Sequence, residues 1–201
     1  MTDQSDRELI LQLQDGSLDA LGLLYDRHRC MVYRTALAIT GDNEVANDLL
    51  QDVFLRLYRY ADHVDQERPL EPWLYRMTAN LAYSWMKRRG RGRRILEEMY
   101  EWFLTGSGIS TPMELAEERE EWEQVQKALV DLPLAQRVVV VLYYLNEFSL
   151  QEISETLDVP IGTVKSRLHY GRRALQQSMK EGRKSEGSRI PELQYEGTEV
   201  V

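Results

Sequence analysis

The stretch from Ser149 to Leu175 decides the fold of the C-terminal half and reads SLQEISETLDVPIGTVKSRLHYGRRAL. Ser149 followed three residues later by Glu152 is a capping box, so a helix is predicted to begin there. Apolar residues then recur at three- and four-residue steps and form one stripe: Leu150, Ile153 and Leu157. Asp158 tolerates the left-handed backbone of a sharp turn. The pattern predicts a short helix followed by a tight turn.

A second helix is predicted after Pro160, and its two faces differ in chemistry. Its inward face is small and apolar: Val164, Leu168, Gly171 and Leu175. Its outward face is basic and polar: Lys165, Ser166, His169, Tyr170, Arg172 and Arg173. Two helices joined in this way form a helix-turn-helix, whose second helix can lie in a DNA major groove. The alternative is an ordinary helical hairpin with a solvated basic face.

Composition indicates a globular all-α protein. The chain has 201 residues, enough for one sizeable core or two small ones, with 43% hydrophobic and 29% charged residues. Helix formers dominate and no alternating strand pattern stands out. Cys30 is the lone cysteine, so no internal disulfide is possible and a small buried side chain is favoured over a reactive thiol.

Several classes of function are disfavoured. The three histidines are scattered without metal-ligand spacing, and no nucleophile–base pair or phosphate loop is present, so neither a metal, nor a cofactor, nor an enzyme is expected. The N-terminus is polar and acidic, unlike a signal peptide, and no apolar run approaches the length of a membrane span. A cytoplasmic location without membrane insertion is therefore expected.

The charge distribution favours nucleic-acid binding although the net charge is −8. Residues 69–94 contain seven basic residues and one acidic residue, and residues 149–184 contain seven and four. Residues 95–127 are strongly acidic, with two basic and nine acidic residues. DNA affinity follows local rather than total charge, so the two basic islands are the candidate contacts.

The pattern along the chain predicts two small helical domains joined by a flexible linker. The predicted helices are 6–14, 17–40, 43–60, 72–89, 112–132, 134–146, 149–157 and the basic helix after Pro160, running to about 180. Gly90 is the predicted stop of the fourth, and the valine run 138–141 is assigned to a helix because its neighbours fit the helical period. The predicted division is an N-terminal domain (1–94), an acidic Gly/Ser linker (95–111), a C-terminal domain (112–180) and a polar tail (181–201).

The helix from Pro72 interleaves aromatic and cationic side chains. This arrangement suits single-stranded nucleic acid, because bases stack on rings while cations hold the backbone. The alternative is that Trp73, Tyr75 and Trp85 are core residues and the arginines a solvated helix end. The core assignment is favoured for Trp85, and the functional one for Trp73, Arg76, Asn80 and Lys87.

Two sets of motifs then resemble one family. The N-terminal set comprises Leu24-Tyr25-Asp26-Arg27, Val32-Tyr33-Arg34, Gly41-Asp42, residues 48–57, Pro72-Trp73-Leu74-Tyr75-Arg76 and Asn80-Leu81-Ala82. The C-terminal set comprises Leu132-Pro133, Arg137, residues 149–153 and residues 160–168. In this order, the chain resembles the extracytoplasmic-function (ECF) group of bacterial RNA polymerase sigma factors, in the sigma-70 family.

The resemblance implies a transcription initiation factor that binds core RNA polymerase and selects promoters. It implies that the helix 43–60 docks on the clamp coiled coil of the β′ subunit through Asp48, Leu49, Gln51, Asp52, Val53 and Phe54. It also implies contact with the β flap, and a linker that runs through the polymerase towards the RNA exit path. Such factors are usually held inactive by an anti-sigma factor, which is a further expected partner.

The resemblance also assigns the DNA contacts. The loop 62–70 and the helix after it would open the −10 element and hold a flipped base, with contacts from His63, Arg68, Trp73, Arg76, Asn80, Tyr83, Lys87 and Arg88. The helix-turn-helix would read the −35 duplex. Its expected contacts are Arg137, Thr163, Lys165, Ser166, Arg167, His169, Tyr170, Arg172 and Arg173.

Some residues depart from the family pattern. They are Asn47 for a common acidic residue, Ala79 for a frequent arginine, Ser84 for a frequent aspartate, Asp158 for a usual glycine and Tyr170 for a frequent arginine. The main alternative function is a free-standing helix-turn-helix repressor or activator, which would need a dimer interface to reach palindromic half-sites. An RNA-binding or adaptor protein using the basic run 87–94 is the second.

Overall fold

The computed structural model describes residues 4–96 and 116–187, and every regular element in these two ranges is helical. The N-terminal half contains α1 (Asp6–Gln14), α2 (Leu18–Thr40), α3 (Asn43–Arg59) and α4 (Glu71–Leu96), with a short 3-10 turn at Ala61–His63. The C-terminal half contains α5 (Ala116–Val130), α6 (Leu134–Tyr144), α7 (Leu150–Leu157) and α8 (Ile161–Gly187). The predicted all-α fold of two helical domains, the second with a helix-turn-helix, is confirmed.

Side-chain caps fix where the helices begin. Ser17 accepts a hydrogen bond from the Ala20 amide at 3.3 Å and starts α2. Gly41 ends α2 in the left-handed conformation, at a φ of 69°, which costs glycine little. Asp42 then accepts from the amides of Glu44 and Val45 at 3.1 and 3.2 Å and starts α3.

Two helices run further than their sequence predicts. α4 continues through Gly90 to Leu96, and α8 continues to Gly187 rather than ending near residue 180. A glycine inside a helix costs only about 1 kcal/mol relative to alanine, and the neighbouring arginines and lysines are good helix formers. The predicted stop at Gly90 is therefore wrong. The predicted linker, except its first two residues, and the end of the tail lie outside the described residues.

Within residues 4–96 and 116–187, the buried side chains form two clusters. One lies within the N-terminal half and includes Leu24, Val53, Leu57 and Leu74, each fully or almost fully buried. The other crosses between the halves. It combines Ala36, Ile39, Ala79 and Ala82 of α2 and α4 with the valine run of α6, Ile153 of α7 and Val164 of α8.

The valine run lies in α6 as predicted, and all four valines are buried. The C-terminal half thus packs on α2 and α4, an arrangement that the sequence did not predict. Within the described ranges, no helix has both the length and the apolar character that crossing a bilayer requires.

Candidate polymerase and nucleic-acid interfaces

The six predicted polymerase contacts on α3 fall into two groups according to their exposure. Asp48, Gln51 and Asp52 are exposed. The apolar members are buried: Leu49, Val53 and Phe54. Phe54 makes an edge-to-face contact with the Tyr25 ring, at 5.0 Å between centroids. These three side chains therefore anchor the helix, and the exposed three are the ones that a partner can touch.

The predicted polymerase contacts leave out one exposed apolar side chain on this face. Leu55 is 53% exposed. It lies seven residues after Asp48 and three after Asp52, so the three side chains share one stripe of α3. A single exposed leucine is common on protein surfaces, but this one lies on the same stripe as two carboxylates, where a partner that contacts them also reaches it. The sequence did contain a signal for its exposure, because Leu55 does not follow the spacing of the apolar residues that face the core.

α4 carries the predicted −10 residues on one stripe. Trp73, Arg76, Asn80, Tyr83 and Lys87 follow one another at three- and four-residue steps. Arg76, Asn80 and Lys87 are exposed, whereas the two aromatic rings are half-buried. The Lys87 ammonium lies 6.0 Å from the centre of the Tyr83 ring. The stripe therefore presents the combination of flat rings and cations that single-stranded nucleic acid favours.

The other predicted −10 residues lie beside this stripe. His63 and Arg68 are exposed in the segment before α4, where Arg68 pairs with Asp65 at 3.1 Å. Arg88 is exposed one position after Lys87, and thus on a neighbouring side of the helix. Ala79, where the family often has arginine, is completely buried. In this conformation that position faces packed side chains rather than solvent.

Trp85 is a packing residue, as predicted. Its ring is half-buried against the core, and the guanidinium carbon of Arg89 lies 4.9 Å from the ring centre. Arg89 also pairs with Asp42 at 3.2 Å, the residue that caps α3. This pair ties α4 to the start of α3 and removes Arg89 from the group of exposed arginines.

The helix-turn-helix has the predicted geometry. Ser149 and Glu152 form a reciprocal capping box, with Glu152 Oε2 2.9 Å from the Ser149 amide nitrogen. The side-chain hydrogen bond from Ser149 is the main cause that lowers the pKa of Glu152. Asp158 ends α7 in the left-handed conformation, at a φ of 51°. The turn therefore forms despite the absence of the usual glycine.

The outward face of α8 displays the predicted −35 residues. Lys165, Ser166, His169, Tyr170, Arg172 and Arg173 are exposed, and Thr163 and Arg167 are half-buried. Tyr170 is 58% exposed and makes an edge contact with the His169 ring at 5.3 Å. The Ser166 hydroxyl donates to the Thr163 carbonyl at 2.9 Å, so in this rotamer its oxygen can meet a base only as a hydrogen-bond acceptor.

Arg137 is the exception among the predicted −35 contacts. The residue is 5% exposed, and its guanidinium donates to the carbonyl oxygens of Ile39 at 2.7 Å and Leu132 at 3.1 Å, and also to that of Val130. Burial lowers its pKa. The family resemblance implied that Arg137 contacts a phosphate of the −35 duplex. In this conformation Arg137 cannot reach DNA.

The structure also brings together residues that were not singled out. Asp6, His28 and Glu71 place one possible ligand atom each within 4.8 Å of one another. His28 is buried, and its Nε2 lies 2.6 Å from the Asp6 carboxylate, which Arg27 also contacts. The carboxylate is therefore already paired with two basic side chains. The group links α1, α2 and the start of α4.

Comparison with known proteins identifies both halves. Residues 24–92 match the sigma-70 region 2 family, and residues 122–175 match sigma-70 region 4. The ECF RNA polymerase sigma factor SigW of Bacillus subtilis is 30% identical over 87% of this chain and 97% of its own. This chain belongs to the ECF sigma factors. It is a promoter-specific initiation factor of RNA polymerase, not a free-standing repressor.

Further similar proteins support the same family assignment. The ECF sigma factor SigE of Mycolicibacterium smegmatis is 36% identical over 76% of this ECF sigma factor and 58% of its own chain. Among solved structures, the sigma factor RpoE in complex with the anti-sigma factor NepR, from Bartonella quintana, is 25% identical. The match has a TM-score of 0.58 and covers 76% of this chain and 91% of RpoE. CnrH, solved with the cytosolic domain of CnrY, shares the fold at 23% identity and a TM-score of 0.59, covering 89% and 99%.

Proposed function

We propose that this ECF sigma factor uses three separate exposed faces to direct core RNA polymerase to its promoters. The first is the stripe of α3 that contains Asp48, Gln51, Asp52 and Leu55, and its partner is the coiled coil of the β′ clamp. The carboxylates complement basic groups, and Leu55 supplies apolar contact area at the C-terminal end of the stripe. The buried neighbours Leu49, Val53 and Phe54 hold this face in position.

The second face is the α4 stripe with the loop before it, and its ligand is the non-template strand of the −10 element. Trp73 and Tyr83 offer ring surfaces, and Arg76 and Lys87 offer charge. Each base that stacks on an aromatic ring contributes about 1–3 kcal/mol, which offsets part of the cost of opening the duplex. His63 and Arg68 lie where the strand would enter.

The third face is the outward side of α8, and its ligand is the −35 duplex. Lys165, Ser166, His169 and Tyr170 lie where a helix in the major groove meets base edges. Arg172 and Arg173 lie further along the helix and are assigned to phosphates, which position the helix without reading sequence. Thr163 and Arg167, which are half-buried, complete the proposed −35 contacts, with Arg167 on a phosphate.

The remaining partners follow from the family. We include the β flap as a contact of the C-terminal half and an anti-sigma factor as an inhibitor, because the similar RpoE chain was solved with one bound. The acidic linker is assigned to the path through the polymerase. The boundaries 1–94, 95–111, 112–180 and 181–201 remain proposed, since the region 2 and region 4 matches end inside them.

One observation supports the proposal most strongly: the stripe of rings and cations on α4 and the basic face of α8 lie on different halves of the chain. The first suits a single strand and the second suits a duplex. A gel-shift comparison tests it. Core polymerase plus this chain is expected to retain a subset of genomic fragments at a salt concentration where the chain alone retains none. Sequence-specific retention by the chain alone, unchanged when core polymerase is added, would contradict the proposal.

A further inference from the structure

The first helix contacts the segment that leads into α4. Gln14, the last residue of α1, donates from its Nε2 to the carbonyl oxygens of Ala61 at 3.0 Å and Val64 at 3.2 Å. An amide nitrogen carries two hydrogens, so this one side chain satisfies both carbonyls. Further along the segment, Arg7 pairs with Glu67 at 2.6 Å, but both side chains are 59% exposed and such a pair contributes little. Gln14 is therefore the stronger link between α1 and this segment.

α1 is itself fixed to the body of the N-terminal half. Its apolar face is fully or almost fully buried in the N-terminal cluster: Leu9, Ile10 and Leu13. At its first residue, the Asp6 carboxylate lies 2.6 Å from His28 Nε2 of α2 and also contacts Arg27. Packing along its length and polar contacts at its start give the helix a defined position. Gln14 therefore holds the segment before α4 from a rigid support.

The segment 61–70 depends on such support. It contains one turn of 3-10 helix, at Ala61–His63, and a turn of that length is not stable by itself. Ala61, Val64 and Leu70 are buried in the N-terminal cluster and anchor the segment. The residues between these anchors are polar and mostly exposed, and they include His63 and Arg68. The backbone around His63 is therefore held by two small buried side chains and by the hydrogen bonds from Gln14.

We propose that Gln14 is a positioning residue for the −10 element, which holds segment 61–70 in the conformation that reads the single strand. This rests on the proposed function, which assigns His63 and Arg68 to that strand. Gln14 binds the carbonyls two residues before and one residue after His63, so it fixes the backbone on both sides of that ring. Binding sites tolerate displacements of only about 0.5 Å, so a looser backbone discriminates less well between bases. α1 lies before residue 24, where the region 2 match begins.

The substitution Gln14→Glu tests this role with almost no change of side-chain shape. It replaces the donating nitrogen by a carboxylate oxygen, which faces the two carbonyl oxygens and cannot donate to them. Gln12→Glu is the matched control, because residue 12 is also a half-buried glutamine of α1 and the variant gains the same charge. Gln14→Ala is the second variant, since it removes both hydrogen bonds without adding a charge.

Amide hydrogen exchange in the free chain measures the restraint itself. The amides of His63 and Val64 donate to carbonyls of the 3-10 turn at 2.9 and 3.0 Å, so their exchange reports opening of that turn. Both Gln14 variants are expected to accelerate this exchange about fivefold or more, the factor that one typical hydrogen bond represents. Exchange in α3 should keep the wild-type rate, and Gln12→Glu should change neither. Wild-type exchange of both amides in Gln14→Ala, or equal acceleration throughout α3, would overturn the proposal.

Base discrimination gives a second readout that a merely structural contact would not move. Core polymerase carrying each variant is titrated with single-stranded −10 oligonucleotides, taken from promoters that the chain directs, in which one base at a time is changed. The ratio of Kd values between the worst and the best base should fall about fivefold in the Gln14 variants at one position or more, with unchanged affinity for core polymerase. Gln12→Glu should keep the wild-type ratios.

Wild-type ratios at every position in both Gln14 variants would overturn the positioning role. If the wild-type complex itself shows no base preference on these strands, the proposed −10 function fails and the positioning role fails with it. The exchange measurement separates the two cases, because it shows in the free chain whether Gln14 holds the segment.

Discussion

Gly171 of α8 packs directly on Val140 of α6. A Cβ at Gly171 would lie 2.7 Å from Val140 Cγ2 and 3.3 Å from the Cβ of Gln136. Glycine at this position is what allows the DNA-reading helix to rest against the valine run. The identity of residue 171 therefore affects the orientation of α8, because a larger residue there displaces α8 from α6.

We therefore expect Gly171→Ala to destabilise the protein although alanine is the better helix former. Overpacking costs about 1–3 kcal/mol, and helix propensity returns at most about 1 kcal/mol. Thermal unfolding should show a decrease of several degrees in Tm. Gly162→Ala is the control on the same helix, because nothing lies within 4 Å of its Cβ. Equal Tm values for both variants would show that the close contact is absent.

The α3 stripe is tested by the double substitution Gln51→Ala and Asp52→Ala. Both side chains are exposed, so the free energy of unfolding should change by less than about 0.5 kcal/mol. Affinity for core polymerase should fall at least tenfold, because the loss removes charge and hydrogen bonds from the proposed docking face. Surface plasmon resonance measures it. Asp19→Ala, an exposed acidic residue of α2, is the control. Wild-type affinity in the double variant would remove α3 from the interface.

The α4 stripe is tested by Tyr83→Ala against Tyr83→Phe. Loss of the ring should weaken opening of the −10 element about tenfold, corresponding to one stacked base, whereas phenylalanine keeps the stacking surface. Permanganate reactivity of −10 thymines in the polymerase complex measures the opening. Equal reactivity in the alanine variant and the wild type would place the single strand elsewhere.

The phosphate contacts of α8 are tested through salt dependence. Replacing Arg172 and Arg173 by alanine should lower the slope of log K against log salt by roughly 2, about one for each phosphate contact. The measurement uses polymerase loaded with the variant and a duplex promoter fragment. Arg34→Ala, an exposed arginine of α2, should leave the slope unchanged. An unaltered slope in the double variant would exclude both arginines as phosphate contacts.

The capping box makes a pH-dependent contribution to stability. Hydrogen bonds from Ser149 lower the pKa of Glu152 below 4.5 in the folded state, so the stabilisation is present above the unfolded pKa and is lost as pH falls through the folded one. Ser149→Ala should cost about 1 kcal/mol at pH 7. The difference between variant and wild type should shrink in urea denaturation at about pH 3. A difference that grows on acidification would contradict this role.

Local chemistry predicted most of the fold. The capping box at Ser149, the cap at Ser17, the turn at Asp158 and the helical valine run all depend on neighbours within a few residues, and each is confirmed. Such signals are readable because caps and turns satisfy backbone groups of their own segment. The exposed stripes of α4 and α8 followed in the same way from helical spacing.

Features that depend on tertiary packing could not be predicted from the sequence. Arginine is usually exposed, so the sequence gives no sign that Arg137 is buried. Its burial is visible only once α6 is packed against the end of α2. The continuation of α4 beyond Gly90 depends on the absence of a strong breaker, which a single glycine is not. Leu55 was overlooked because inward periodicity selects core residues and passes over apolar residues on the outer face.

Mapping of transcription start sites tests the central claim most directly. Purified core RNA polymerase is incubated with fragmented genomic DNA, with or without this chain, and the 5′ ends of the transcripts are sequenced. The account predicts a limited set of starts that depend on the chain, with shared −35 and −10 sequences upstream, and their loss in the Gln51→Ala, Asp52→Ala variant. Starts that are the same with and without the chain would contradict it.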